Sequence, residues 1–419
     1  MKKMKKMKKK VLSMLLAAAM VLSLAACGSK NEEASSENEE VAIEDMTFDE
    51  LKEAAKGTTV TFYGWGGDEK LNAWLDDVFA PTMKEKYDIT MERVPMDIDQ
   101  ILSQLSGEIQ EGEEGSIDMI WINGENFQSA KENNMLYGPF VDKLPNFEEY
   151  IDTESEDVTM DFAYPIEGYE APYGKAQMVM MVDTAVTPEM PANAEEFMEF
   201  VKKYPGKVTY PALPDFTGSA FVRNIICEIC GWEQFMDMEP DKETVKAAIE
   251  PALEYLRELN PYLWNEGKTF PDSSVTQQNM FADGELVFNM TYGAYDVPVN
   301  IEDGKYTETT QSFLFDKGTI GNTNFMAIAA NSANKAGAMV AINEMMSPEI
   351  QASRFEEMKT LPVVDYDKLN DEQKAAFDKV EIGKGAIPQD EMLAKRIPEM
   401  PAELVPIIEE IWQEEVVGK

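Results

Sequence analysis

The chain has 419 residues, with 78 acidic against 37 basic side chains, a net charge of −41 and no histidine. So much negative charge would repel a polyphosphate backbone, which excludes nucleic acid as a partner. The missing histidine removes the commonest general base, a common metal ligand and the standard catalytic triads.

Residues 1–10 carry seven lysines, and 11–24, "VLSMLLAAAMVLSL", form an apolar run shorter than the roughly 20 residues that span a bilayer. Together they read as an export signal. "LAAC", Leu24 to Cys27, looks like a bacterial lipobox, so we expect a lipoprotein signal peptide at 1–26 and a lipidated Cys27. The alternative is ordinary secretory cleavage after Ala26. Residues 28–45, "GSKNEEASSENEEVAIED", are too polar to bury a core and read, with Cys27, as a disordered acidic tether. Taking the seven signal lysines from the 37 basic residues leaves 30 against 78 acids, near −48. The expected location is the outer face of the cell membrane, held by lipid alone. About 370 residues then remain, too many for one core and suited to two lobes.

Strand and helix alternate from there. The pattern predicts strands at 58–64, 89–95, 117–123, 207–212, 285–292 and 323–330. It predicts helices at 69–87, 97–111, 125–134, 193–204, 218–231, 241–259, 275–283, 334–353, 371–380 and 401–415. In the first helix Leu71, Trp74, Leu75, Val78 and Phe79 share one face at helical spacing. Such alternation points to an α/β fold with parallel, helix-covered sheets.

Four strand ends turn abruptly polar. "VTFYGW" runs into Gly66, Gly67 and Asp68 behind Trp65; "IDMIWI" runs into Asn123, Gly124, Glu125 and Asn126. "VTYPALPDFTGSAF" places Asp215, Phe216, Thr217 and Ser219 before a helix, and "LVFNMTYGAYD" ends on Tyr292, Tyr295 and Asp296. In an open α/β sheet the crevice beyond the carboxyl ends of the strands is where ligands bind. Tyr173 and Asn324, in "APYGK" and "GNTNF", join these as candidate ligand-binding residues. Each has a structural alternative, since Asp68 and Asp215 are also good helix caps and Gly66-Gly67 a plain turn. Cys227 and Cys230 form "CEIC" on an apolar helix face. Buried thiols are favoured there, ahead of a local disulfide; zinc would need two further ligands.

The lipobox and tether, with "FYGWGGDEKLNAWLDDVFAP", "IDMIWINGENF", "LYGPF" and "FTGSAF", resemble the extracellular solute-binding proteins of ABC importers. Among these, of family 1 type, the motifs are most similar to the YnjB-type substrate-binding proteins. The resemblance implies a type II periplasmic-binding-protein-like fold: two Rossmann-like lobes with a hinge and an interlobe cleft. It implies crossings near 171–181 and 317–325, with one lobe from 46–172 plus 320–362 and the other from 173–319 plus 363–419. A membrane permease and a cytoplasmic ATPase are the implied partners of a monomeric binder.

Aromatic faces beside carboxylates hold a desolvated organic cation at about 0.5–2 kcal/mol per contact. That favours thiamine-like or polyamine-like cargo, with carbohydrate as the rival and an exported glycosidase-like enzyme as the reading from another class. No cofactor, metal or catalytic residue is expected.

Overall fold

Two sheets, each coated by its own hydrophobic core, organise the chain. The computed structural model describes residues 42–419 except Glu113, so the signal peptide, Cys27 and the tether to residue 41 lie outside the described residues. Three residues assigned to the tether, Ile43–Asp45, form a short 3-10 turn. The Lys143 ammonium holds it by donating to the Glu44 and Met46 carbonyls.

In the larger, seven-stranded sheet, strands Thr90–Pro95, Thr59–Gly64 and Met119–Ile122 run parallel, and the long strand Thr319–Ala329 lies antiparallel to the last. Side chains alternate between its faces. Val60 and Phe62 meet Leu71, Trp74 and Phe79 on one side; Tyr63 and Ile120 meet Ile101, Leu105 and Phe127 on the other. Each large apolar side chain so buried stabilises the fold by about 1.5–3 kcal/mol. The smaller sheet, Thr310–Phe313, Val179–Asp183 and Phe288–Thr291, is antiparallel throughout. Met180, Val182, Phe288 and Phe313 face a second core closed by the C-terminal helix through Leu404, Ile408, Ile411 and Trp412.

Strands Glu170–Gln177 and Thr319–Ala329 pair antiparallel and pass from one core to the other. Ala171 and Met326 pack in the first core, whereas Ala176 and Ile320 pack against or within the second. The ladder shifts register at Asn324/Phe325.

Three expectations need correction. The larger sheet is mixed, because the crossing strands enter antiparallel to the parallel trio, and the smaller sheet has no parallel pair. Residues 207–212 form no strand. Pro211 lacks an N–H, and the segment's hydrogen bonds scatter to loops, as in Trp264 N to Val208 O (2.8 Å) and Ala212 N to Pro271 O (2.7 Å). The helix predicted at 334–353 is two, Lys335–Met345 and Pro348–Met358: Pro348 cannot continue a helix, and Ser347 caps the new one. Cys227 and Cys230 are free thiols, the first buried.

Candidate functional site

The first strand ends in Trp65, 43 % exposed, whose ring meets Trp121 edge-on at 6.5 Å; Trp121 in turn meets Tyr173 at 5.8 Å. The glycines behind Trp65 are steric requirements. A Cβ at Gly67 would lie 2.1 Å from the Trp65 ring, and one at Gly66 2.4 Å from Pro95. Asp68 caps the helix Glu69–Trp74, its Oδ1 accepting from Lys70 N (2.9 Å) and Leu71 N (3.1 Å). Tyr173 is 2 % exposed, with the Arg354 guanidinium 4.4 Å from its ring centroid and its hydroxyl without a hydrogen-bond partner among the described residues.

The third strand ends in a fixed turn. Asn123 accepts from Trp121 Nε1 (3.0 Å) and donates to Thr323 O (2.6 Å). Gly124 has φ +59°, and its N–H donates to buried Asp161. Glu125, half-buried, accepts from Asn126 Nδ2 at 2.8 Å. Burial pushes its carboxyl up to about 7; Arg223 opposes that rise, while Glu409 and Glu399 add to it.

Those three partners come from the other core. Arg223, 1 % exposed, donates to Glu399 through Nε (3.2 Å) and Nη2 (3.4 Å), and to Ser219 Oγ through Nη1 (2.5 Å). Ser219 Oγ donates to Glu409 (2.6 Å), and the Tyr292 hydroxyl donates to Glu399. Phe216, 43 % exposed, packs with tilted rings against Tyr292 (5.0 Å) and Phe162 (6.2 Å), and Phe162 faces the Arg223 guanidinium at 5.5 Å. The structure thus brings Asn123, Glu125 and Asn126 at a strand end of one core toward Ser219, Phe216 and Tyr292 of the other, places Trp65 beside Trp121 at the end of the first strand, and buries Thr217. Asn324 lies half-buried on the crossing strand opposite Gly174.

Other candidates go elsewhere. Both Asp215 oxygens are committed, to Gly218 N (3.0 Å) and Ser274 N (2.9 Å), so it is a structural cap. Tyr295 is 1 % exposed and packs with Phe355, Leu361 and Phe377: the helix beginning at Asp296 turns it into a core. Asp296 forms a second acidic point near Asp68. Burial and, less strongly, Asp68 push its carboxyl up to about 7, against the Thr291 hydroxyl and the Lys305 and Lys70 ammoniums.

Sequence reasoning missed Trp121, Asp161, Phe162, Glu399 and Glu409 and passed over Arg223. Glu399 left one trace: an acid inside the otherwise apolar "IPEMPA". Two surface hollows, of about 490 and 500 Å³, open beside Tyr87 and Tyr150 and beside Met190 and Phe200. Neither includes a strand-end residue; near the strand ends contacts bridge the cores, Lys70–Asp303 at 2.9 Å, Gln128 Nε2 to Glu403 at 3.1 Å, and Phe162 against Phe216.

No helix among the described residues is long and apolar enough to cross a membrane. Protein YnjB of Escherichia coli (strain K12) is 35% identical over 370 residues, covering 87% of this chain and 92% of that protein. The periplasmic binding protein AfuA from Actinobacillus pleuropneumoniae, solved with fructose-6-phosphate bound, superposes with a TM-score of 0.61 at 12% identity, over 86% of this chain and 99% of its own. A putative spermidine/putrescine ABC transporter protein from Listeria monocytogenes does so with 0.60 at 16% identity, over the same shares. Both confirm the two-lobed fold. The family model for bacterial extracellular solute-binding proteins matches residues 78–376, and this chain belongs to that family.

Proposed function

We propose that this protein captures a small organic cation, thiamine-like or polyamine-like, between its lobes and delivers it to the permease and ATPase of an ABC importer. Cys27 carries the lipid anchor in this reading, with lobes divided at 46–172 plus 320–362 and 173–319 plus 363–419. The observation that carries it is the meeting of Glu125 from one core with Glu399 and Glu409 from the other, around a single guanidinium and beside Phe162, Phe216 and Tyr292. Carboxylates in excess, walled by aromatic faces, favour a desolvated cation over a neutral hydroxylated solute. Capture follows from differential affinity: contacts made by both lobes exist only when the cleft is shut, so cargo shifts the population toward closure.

Native mass spectrometry of freshly purified protein, followed by a thermal-shift panel of thiamine, putrescine, spermidine and maltose, tests this. A ligand at 100 times its Kd adds about 2.7 kcal/mol. Stabilisation by cations alone supports the reading; stabilisation by the sugar alone overturns the choice of cargo.

A further inference from the structure

Between the two cores, carboxyl groups outnumber the positive charges that face them. Glu125 faces Arg223, Glu409 and Glu399; Asp161 faces Glu125 and Glu399, with the Gly124 N–H and the Asn123 amide. Glu409 faces Arg223 and, from the opposite core, Asp99, with the Ser219 hydroxyl. Arg223 is the basic group beside Glu125 and Glu409, and its fork is already committed to Glu399; Asp161 also faces the buried carboxyl of Glu170, which has the Lys131 ammonium near it. Gln128 and Glu403, paired beside the cluster, add no positive charge.

A second observation belongs to the cluster. Asp161 is 1 % exposed, and its Oδ1 has no hydrogen-bond partner among the described residues, although Glu125 and Glu399 both act on it. A carboxyl oxygen buried without a partner is costly, and like-charged carboxyls sharing one site cannot all ionise. The arrangement is short of positive charge.

We propose that Glu125, Asp161 and Glu409 form a seat for a single positive charge, taken by a proton when the protein closes empty and by the cationic group of the cargo when it closes full. This rests on the cation reading and adds its regulation: cargo entering the seat releases a proton to solvent, so charge is conserved in the cleft. The sign follows from Glu125, which burial in the shut form raises to about 7 from the roughly 4.3 of a solvated glutamate. Between those values the shut, empty form binds more protons than the open one, so raising the pH through this window disfavours empty closure. A cation in the seat removes that dependence.

Small-angle X-ray scattering of the dialysed, ligand-free protein at about pH 5.5 and about pH 8.5 tests the seat without knowledge of the cargo. The parent is expected to show a larger radius of gyration at the higher pH. Glu125→Gln and Glu409→Gln, each neutral at both pH values and checked for native circular dichroism, are expected to reduce or abolish the change. A parent insensitive to pH, or a full response retained in both variants, overturns the proposal. The cargo reading fails separately: if only a neutral solute binds, the ligand-free response still stands.

Discussion

Glu399 is 4 % exposed and takes two hydrogen bonds from Arg223 and one from Tyr292. Removing one member of a buried pair leaves the other charge uncompensated, at a cost of roughly 3–5 kcal/mol. Glu399→Ala is therefore expected to lower the urea midpoint by that equivalent, and Glu399→Gln, which keeps an acceptor for Tyr292, by less. Trp65 is the opposite case. With 43 % of its surface exposed, its removal should change fold stability by less than about 1 kcal/mol. A lost cation–π face weakens binding by about 0.5–2 kcal/mol, or about two- to thirty-fold in Kd. Titration calorimetry of Trp65→Ala with whichever solute the thermal-shift panel selects, beside a denaturation curve, separates the two roles. A variant that binds as tightly as the parent places Trp65 outside the cleft.

At the scale of elements, the helix Phe216–Cys230 carries Ser219 and Arg223 into the site, and Asp215 holds its start. One oxygen caps the helix and the other anchors the start of the helix Ser274–Ala282. Losing the cap costs about 0.5–2 kcal/mol and the second bond about 0.5–1.5 kcal/mol. Asp215→Ala should thus destabilise the fold without removing any group from the strand-end cluster; a thermal melt unchanged from the parent would contradict this. The same elements show what can be read from the chain alone. Apolar runs breaking into Gly66-Gly67 or Asn123-Gly124 announce strand ends, since both the apolar face and the turn chemistry are local. Pro348 was an equally local stop sign. The segment 207–212 has strand-like composition, yet no neighbouring strand offers it a ladder, and pairing is settled by distant residues. Glu399 reaches Arg223 across 176 positions of sequence, a distance over which periodicity says nothing. Which carboxylates converge was therefore illegible, although the strand ends that would receive them were not.

On the scale of the whole molecule, this family member binds its solute rather than transforming it, and in the reading proposed above its output is a change in the balance between open and shut forms. The Lys70–Asp303 ion pair, 2.9 Å long, joins the helix after Asp68 to the end of the helix that Asp296 begins. Its side chains retain 35% and 29% exposure, so its contribution to the shut form is about 0–1 kcal/mol. That is too little to hold the protein shut without cargo, but it biases an equilibrium that cargo must also move. Apparent affinity scales with the fraction of protein able to close. Lys70→Gln and Asp303→Asn should each weaken binding by less than about tenfold while leaving the denaturation midpoint near that of the parent. The double variant should bind no worse than the weaker single one, and about 0.5 M salt should shrink the gap to the parent. Calorimetry across this four-protein cycle measures the coupling directly. Strictly additive losses would show that the two charges act separately on the cargo instead of on each other.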